Sequence, residues 1–543
     1  MKISARVPQI ILYNGTVATQ DNANPHAQAV AVGNGKILAV GRDVDLLNST
    51  GPATNTIDLN GRLVVPGFID THIHFYEWAL KRQGLALDDL TDLEGLLTSV
   101  QKAAESRPSG EWIMGQGWNE TDWTKPRMPN REALDRVAPA HPVLLWRCDL
   151  HLAAANSSAL KLAGISGDTP NPPEGEIERD SRGEPTGILR ELAINVVRQA
   201  IAPPNNDQVV EAFEDATHSL HRRGITGIHD VRLMGDKDGA RTFQAFQTLD
   251  SEKRLNLRCW VTLPGHDLDK VIGLGLRTGF GNDRLRVGHV KFFSDGGMGA
   301  RTAWLIDPYL DADHGMPLGD IDVLTQDINK ADKAGLSVMV HAVGDRANRE
   351  LIKIFTDLES RRSNSTSFPP PAVPHRIEHV QMLRPEDADR LRGLNVALCV
   401  TPANMVLDIN LIDSALGENG KWTYPLRQLM DTGAPVMFSS DCPVCDPDPL
   451  LGIHAAVTRQ RADGTPEGGW YPQSRITVVE ALKAYTATPA RVHNASYLGA
   501  IAPGKKGDLA VLSKDILAIP SSQLSKIQVD MTLFDGQIVY RRS

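Results

Sequence analysis

Two histidines separated by one residue, His72 and His74, close the run Val65-Pro66-Gly67-Phe68-Ile69-Asp70-Thr71. On extended backbone, residues two apart project to the same side, so both imidazoles can address one point. Neutral imidazoles suit a divalent transition metal such as Zn2+. An isolated H-x-H is more often a pair of ordinary surface or core histidines; its place after an apolar run strengthens the ligand reading. Lys291 lies inside the apolar stretch Val287–Phe293, where an unpaired ammonium is costly to bury. Either it reaches a carboxylate such as Asp295, or its amine reacts with CO2 to form a carbamate that adjacent cations can share. His341 and His379 each end a short apolar run, and Asp441 follows the run Pro435–Ser439. Asp441 is placed to bind metal, orient a water and carry its proton, or else to cap a turn.

Side chains so far apart in the chain need a scaffold that gathers them. The middle of the sequence alternates apolar β-type runs with helical stretches, which predicts an α/β fold built on a (β/α)8 barrel. The expected strands are Leu63–Ile69, Ile225–His229, Leu255–Val261, Val287–Phe293, Ser337–His341, His375–His379, Val396–Val400 and Pro435–Ser439. In such a barrel the reactive groups sit at the C-terminal ends of the strands, where these residues fall. Short strands and Asn14-Gly15 and Asp535-Gly536 turns mark both ends of the chain. They predict a composite β-sandwich of residues 1–62 and 498–543 around a barrel of residues 63–497. The long interval after the first strand exceeds any βα crossover, so residues 78–222 are expected to form an inserted subdomain. It carries Trp78, Trp112, Trp118, Trp123 and Trp146.

Composition narrows the class. The chain has 543 residues, with 41% hydrophobic and 23% charged, as soluble globular proteins have. A net charge of −9 and the absence of a basic stretch argue against nucleic acid as a partner. No apolar run is long enough to span a membrane, and no leader pattern opens the chain, so a cytoplasmic protein is expected. The five cysteines read as reduced thiols, Cys442 and Cys445 included. The expected partner is a small-molecule substrate; a homodimer is compatible with the sequence.

Several stretches together resemble the amidohydrolase superfamily, and within it the branch containing YtcJ-like proteins and N-substituted formamide deformylase. They are Val65 to His74, Gly117-Trp118-Asn119 with Trp123, Asp149-Leu150-His151 before Asn156-Ser157, Pro185-Thr186-Gly187 leading to Glu191, Val290-Lys291 with Asp295-Gly296, His341 to Asp345, Ser440-Asp441 and Gly504 to Leu509. The resemblance covers essentially the whole chain. It implies that His72 and His74 hold one metal, that His341 and His379 hold a second, and that carboxylated Lys291 bridges them. One or two Zn ions are the implied cofactor. Asp441 would bind metal and act as general base and then acid, and Trp118 and His151 would contact substrate. The implied reaction is hydrolysis of a non-peptide C–N bond in an amide, N-formyl or N-acyl amine. An ester, lactone or phosphoester as substrate is the rival chemistry, and a catalytically inactive binding homologue is the rival class.

Overall fold

The computed structural model describes residues 7–148, 150, 152–173, 175–202, 204–234, 238–363 and 371–543. The chain divides into two units: Met1–Phe75 with Thr217–Ser543, and Tyr76–Ala216 between them.

The first unit contains an eight-stranded parallel sheet whose strands neighbour one another in chain order. These are β1 (Phe68–Ile73), β2 (Ile225–Asp230), β3 (Arg258–Pro264), β4 (Leu285–Phe293), β5 (Val338–Ala342), β6 (His375–His379), β7 (Val396–Val400) and β8 (Val436–Phe438). Their residues are buried almost throughout, as expected for a parallel sheet covered on its outer face by helices. The two end strands meet through polar bonds. Thr71 Oγ1 donates to Phe438 O at 2.8 Å, Asp441 N to His72 O at 2.8 Å and His74 N to Cys442 O at 2.8 Å. These bonds bring the H-x-H segment and the Asp441 loop side by side, closing a barrel.

The run expected as one barrel strand, Leu63–Ile69, is divided. Leu63–Pro66 pairs antiparallel with Leu509–Leu512 in a six-stranded sheet, and β1 begins only at Phe68. Gly67 is the switch. Its N–H donates to Asp508 O at 2.8 Å, and a Cβ there would come within 2.3 Å of Thr226 Oγ1. Continuous hydrophobicity hid this break, because both segments are buried. The third strand also starts later than expected, at Arg258. That residue is a buried guanidinium which donates to Asp508 and Asp535, joining the barrel to the terminal sheet.

Two sheets flank that junction. One orders Lys36–Gly41, Ala29–Gly33, Ile10–Tyr13 and Asn55–Asp58; the other runs from Gln537–Arg541 through Val529–Phe534, Leu509–Leu512 and Leu63–Pro66 to Thr16–Ala18 and His26–Ala27. Leu12, Val30, Val32, Val64, Leu509, Val511 and Leu533 form their shared core. Both ends of the chain therefore contribute to one sandwich.

The second unit is built on its own six-stranded mixed sheet. Helix Leu93–Ser106 is capped by Asp92, whose side chain accepts from Gly95 N at 2.8 Å. It turns Leu93, Leu96, Leu97 and Val100 onto a core that includes Trp118 and Trp123. All five cysteines of the chain are free thiols. Among the described residues no helix is long and apolar enough to cross a membrane.

Candidate metal centre

His72 is the fifth residue of β1 and His74 follows its end; His341 lies in β5, His379 ends β6, and Asp441 stands three residues past β8. Hydrogen bonds on one ring nitrogen decide what the other can do. His72 Nδ1 lies 2.5 Å from Glu378 Oε2, a carboxylate oxygen that accepts, so Nδ1 carries the proton and Nε2 the lone pair. His74 Nδ1 donates to Val231 O at 3.0 Å, which also leaves Nε2 as the lone-pair nitrogen. Both Nε2 atoms converge on Asp441 Oδ1, at 3.4 and 3.3 Å. The ligand atoms of His72, His74 and Asp441 all lie within 4.8 Å of one another.

The other two histidines complete a chain of rings. His379 lies 5.0 Å from His72 between centroids and 4.5 Å from His341, with Nδ1 at 4.0 Å from Asp441 Oδ2. His341 Nε2 donates to Gly296 O at 3.2 Å and keeps its lone pair on Nδ1. The backbone bends sharply to make this arrangement: His379, Val380 and Asp441 have φ of 69°, 42° and 56°. Left-handed backbone is costly for non-glycine residues, most of all for β-branched Val380, and tends to mark functional sites.

Burial sets the charge state. It lowers His72 to about 4, aided by nearby Lys291, and lowers His379 to about 3; it also takes His341 well below its ordinary value. These imidazoles are neutral at pH 7. Burial would raise the Asp441 carboxyl, but the facing His74 ring and the adjoining His72 and His379 rings bring it well below the usual carboxylate range. Neutral nitrogens of His72, His341 and His379 thus stand beside a carboxylate.

Lys291 sits within β4, buried, and burial lowers its amine to about 8. Its charge is felt by His72, His341 and His379, which places it beside the same cluster. The pairing with Asp295 does not form. Asp295 instead accepts from the N–H groups of Trp304, Val343 and Gly344 at 2.9, 3.0 and 2.7 Å. Among the described residues no carboxylate pairs with Lys291, whose Nζ lies 4.8 Å from the Phe293 ring centroid.

His72 Nε2 and Asp441 Oδ1 are both buried with no hydrogen-bond partner. Buried polar atoms left in that state cost stability unless something else satisfies them. Two orphaned lone pairs aimed at each other within a neutral-imidazole and carboxylate set fit a divalent cation.

The insertion residues behave differently. Trp118 is wholly buried in the second unit, its Nε1 donating to Leu145 O at 3.4 Å and its ring 6.2 Å from that of Trp123. It packs into that unit's core. His151 lies outside the described residues. Sequence reasoning assigned no role to Glu378, Arg376 or Asp70. An available signal was Arg376-x-Glu378 in an apolar strand, since alternate residues face inward together and charges there must be matched.

A family model described as "Amidohydrolase family" matches residues 55–540. The chain belongs to the amidohydrolase family. This amidohydrolase is a hydrolase acting on carbon–nitrogen bonds. It is 33% identical to the putative amidohydrolase YtcJ of Bacillus subtilis (strain 168) over 98% of its own length and 99% of that protein. It is 28% identical to N-substituted formamide deformylase of Arthrobacter pascens, over 98% of each. Among solved structures, an uncharacterized metal-dependent hydrolase from Pyrococcus horikoshii OT3 is similar, with a TM-score of 0.76 and 28% identity over 94% of the amidohydrolase and 99% of that chain.

Proposed function

We propose that the substrate is a small N-acyl or N-formyl amine and that His72, His74, His341, His379, Lys291 and Asp441 together hold one or two Zn2+ ions. The observation that carries the reading is the convergence of His72 Nε2, His74 Nε2 and Asp441 Oδ1 on one point. A divalent cation there supplies Lewis acidity, making hydroxide available near neutral pH and polarising a carbonyl. The chain's own residues do the rest. Val231 and Glu378 fix the tautomers of His74 and His72, so that lone pairs face inward. Asp441, ionised at neutral pH, accepts the proton of the attacking water and returns it to the departing nitrogen.

In this proposal Lys291 is carboxylated. Its Nζ lone pair forms a bond to the carbon of CO2, one N–H proton passes to solvent, and the product is a carbamate anion. Burial favours the unprotonated amine that this step needs. It also replaces a cation beside the metal ligands with an anion, the charge that a dinuclear site requires. The relationship to formamide deformylase supports an N-acyl or N-formyl substrate.

The test is purified, metal-replete protein assayed on N-formyl amines, N-acyl amines, esters and lactones, with bound metal measured in parallel. Turnover of the amides is expected. Turnover confined to esters or lactones would replace the C–N substrate. Protein that neither retains nor takes up divalent metal would point to an inactive binding homologue.

A further inference from the structure

The inner wall of the barrel carries an ion pair that the reaction above does not consume. Arg376 and Glu378 alternate along β6, and neither has any exposed surface. Arg376 grips Glu378 side-on, Nε donating to Oε1 at 2.8 Å and Nη2 to Oε2 at 2.9 Å. Nη2 also donates to Thr71 O at 2.7 Å, the residue immediately before His72. On the far side Nη1 faces His229 Nδ1 at 2.5 Å; a guanidinium only donates, so that nitrogen accepts. Arg376 is therefore anchored on three sides, and through it so is the carboxylate.

We infer that Glu378, clamped by Arg376, is a positioning residue that locks His72 in its Nδ1–H tautomer and so points the Nε2 lone pair at the metal. The inference rests on His72 being a ligand, as proposed above. Three features carry it. Glu378 Oε2, an oxygen that can only accept, faces His72 Nδ1 within hydrogen-bond distance and so holds the ring proton there. Both Glu378 oxygens are occupied by donors, so the carboxylate itself is spent on holding rather than on coordination. Finally, the two formal charges cancel, so the clamp adds no net charge beside the cation.

The same geometry disposes of a rival. Ligand-type atoms of His72, Glu378 and Cys399 also lie within 4.8 Å of one another, as a second metal site would require. There the His72 nitrogen carries a proton, both carboxylate oxygens are taken, and Cys399 Sγ lies 3.2 Å from Thr71 Oγ1 and 3.5 Å from Ser439 Oγ. Burial also pushes the Cys399 thiol up to about 12, so it is not the thiolate that metals bind. This cluster holds a ligand in place and is not itself a site.

Glu378→Gln is the discriminating change. Its amide N–H2 can face His72 Nδ1 only if that nitrogen accepts, which moves the imidazole proton to Nε2 and blocks the lone pair. Apo protein is titrated with Co2+ against a chelator, for wild type, Glu378→Gln and His72→Ala, with the Co2+ visible spectrum recorded for each. Glu378→Gln is expected to weaken Co2+ binding by about 10–100-fold and to alter the spectrum. If His72→Ala weakens binding and Glu378→Gln does not, the positioning role is overturned while the ligand set stands. If His72→Ala binds Co2+ like wild type, the ligand assignment fails instead, and the inference fails with it. A measurement on the unaltered protein guards against misfolding of the variant: in apo protein with 15N-labelled histidine at neutral pH, the neutral His72 ring must be found as the Nδ1–H tautomer. A His72 found protonated on Nε2 would overturn the inference directly.

Discussion

Ser440 Oγ lies 2.5 Å from Asp70 Oδ2, tying the loop that carries Asp441 to the strand that carries His72. The clasp is double, because Ser440 N also donates to Asp70 Oδ1 at 3.1 Å, and His72 N reaches the same oxygen at 3.2 Å. Cys442 N in turn donates to Ser440 Oγ at 3.0 Å. Asp441 sits between these anchors at a left-handed φ. Ser440→Ala removes a donor from one buried atom and an acceptor from another, which costs about 1–3 kcal/mol for each group left unsatisfied. Urea denaturation should register that loss, and turnover should fall further than stability explains, because the Asp441 loop loses its register. A variant with wild-type turnover would show that the clasp does not position Asp441.

Asp441→Asn separates proton transfer from shape. Asparagine keeps one oxygen near the Nε2 atoms of His72 and His74 but is a poor proton acceptor. Bound metal should stay close to wild type while kcat falls by roughly 10^2–10^4. Metal analysis and kcat at saturating metal, measured on the same preparation, check both halves. Undiminished kcat would remove Asp441 from the proton-transfer role.

How much of this was legible in the chain follows from where each residue's partner lies. The strand-end rule located His72, His341, His379 and Asp441 because a barrel presents strand termini on one face. Ligand types at those termini can be read without knowing any contact. Gly67 was passed over because the segments on either side are equally buried, and only its closeness to Thr226 reveals the switch between sheets. The Glu378–His72 bond joins residues 306 positions apart. No local pattern announces such a pair; only an unexplained charge in an apolar strand hints at it. The tryptophans of the insertion read equally as the core of a small subdomain or as a cover over the site, and Trp118 and Trp123 lie in that subdomain's core.

Lys291→Ala tests the carbamate. Removing the amine removes the proposed bridging anion, so bound metal should fall and turnover should drop on the order of 10^2-fold. Acetate or propionate, supplied in excess, can occupy the vacated space and restore part of the metal content. Lys291→Ala protein with full metal content and activity would leave the lysine without a role in the site.

Away from the metal centre, His221 makes the fold sensitive to acid. It is buried beneath the terminal sheet: Thr532 Oγ1 donates to its carbonyl at 2.6 Å, and its ring centroid lies 6.3 Å from that of Phe534. Nε2 donates to Asn256 O at 2.9 Å, while Nδ1 is buried with no partner. A second proton would have to sit on Nδ1 facing nothing, and burial accordingly lowers the group to about 4. In the unfolded chain a histidine titrates near 6.5, so between those values the unfolded state binds more protons and stability rises with pH. The contribution is complete above pH 6.5 and is lost progressively as the pH falls toward 4, a total of about 3 kcal/mol. His221→Gln cannot titrate in this range. The stability difference between wild type and His221→Gln, from urea denaturation of apo protein at several pH values, should therefore move by about that amount between pH 7.5 and 4, in favour of the variant at low pH. Other buried histidines contribute equally to both proteins and cancel. A difference that stays flat across the range would mean that His221 is protonated as easily in the fold as in the unfolded chain.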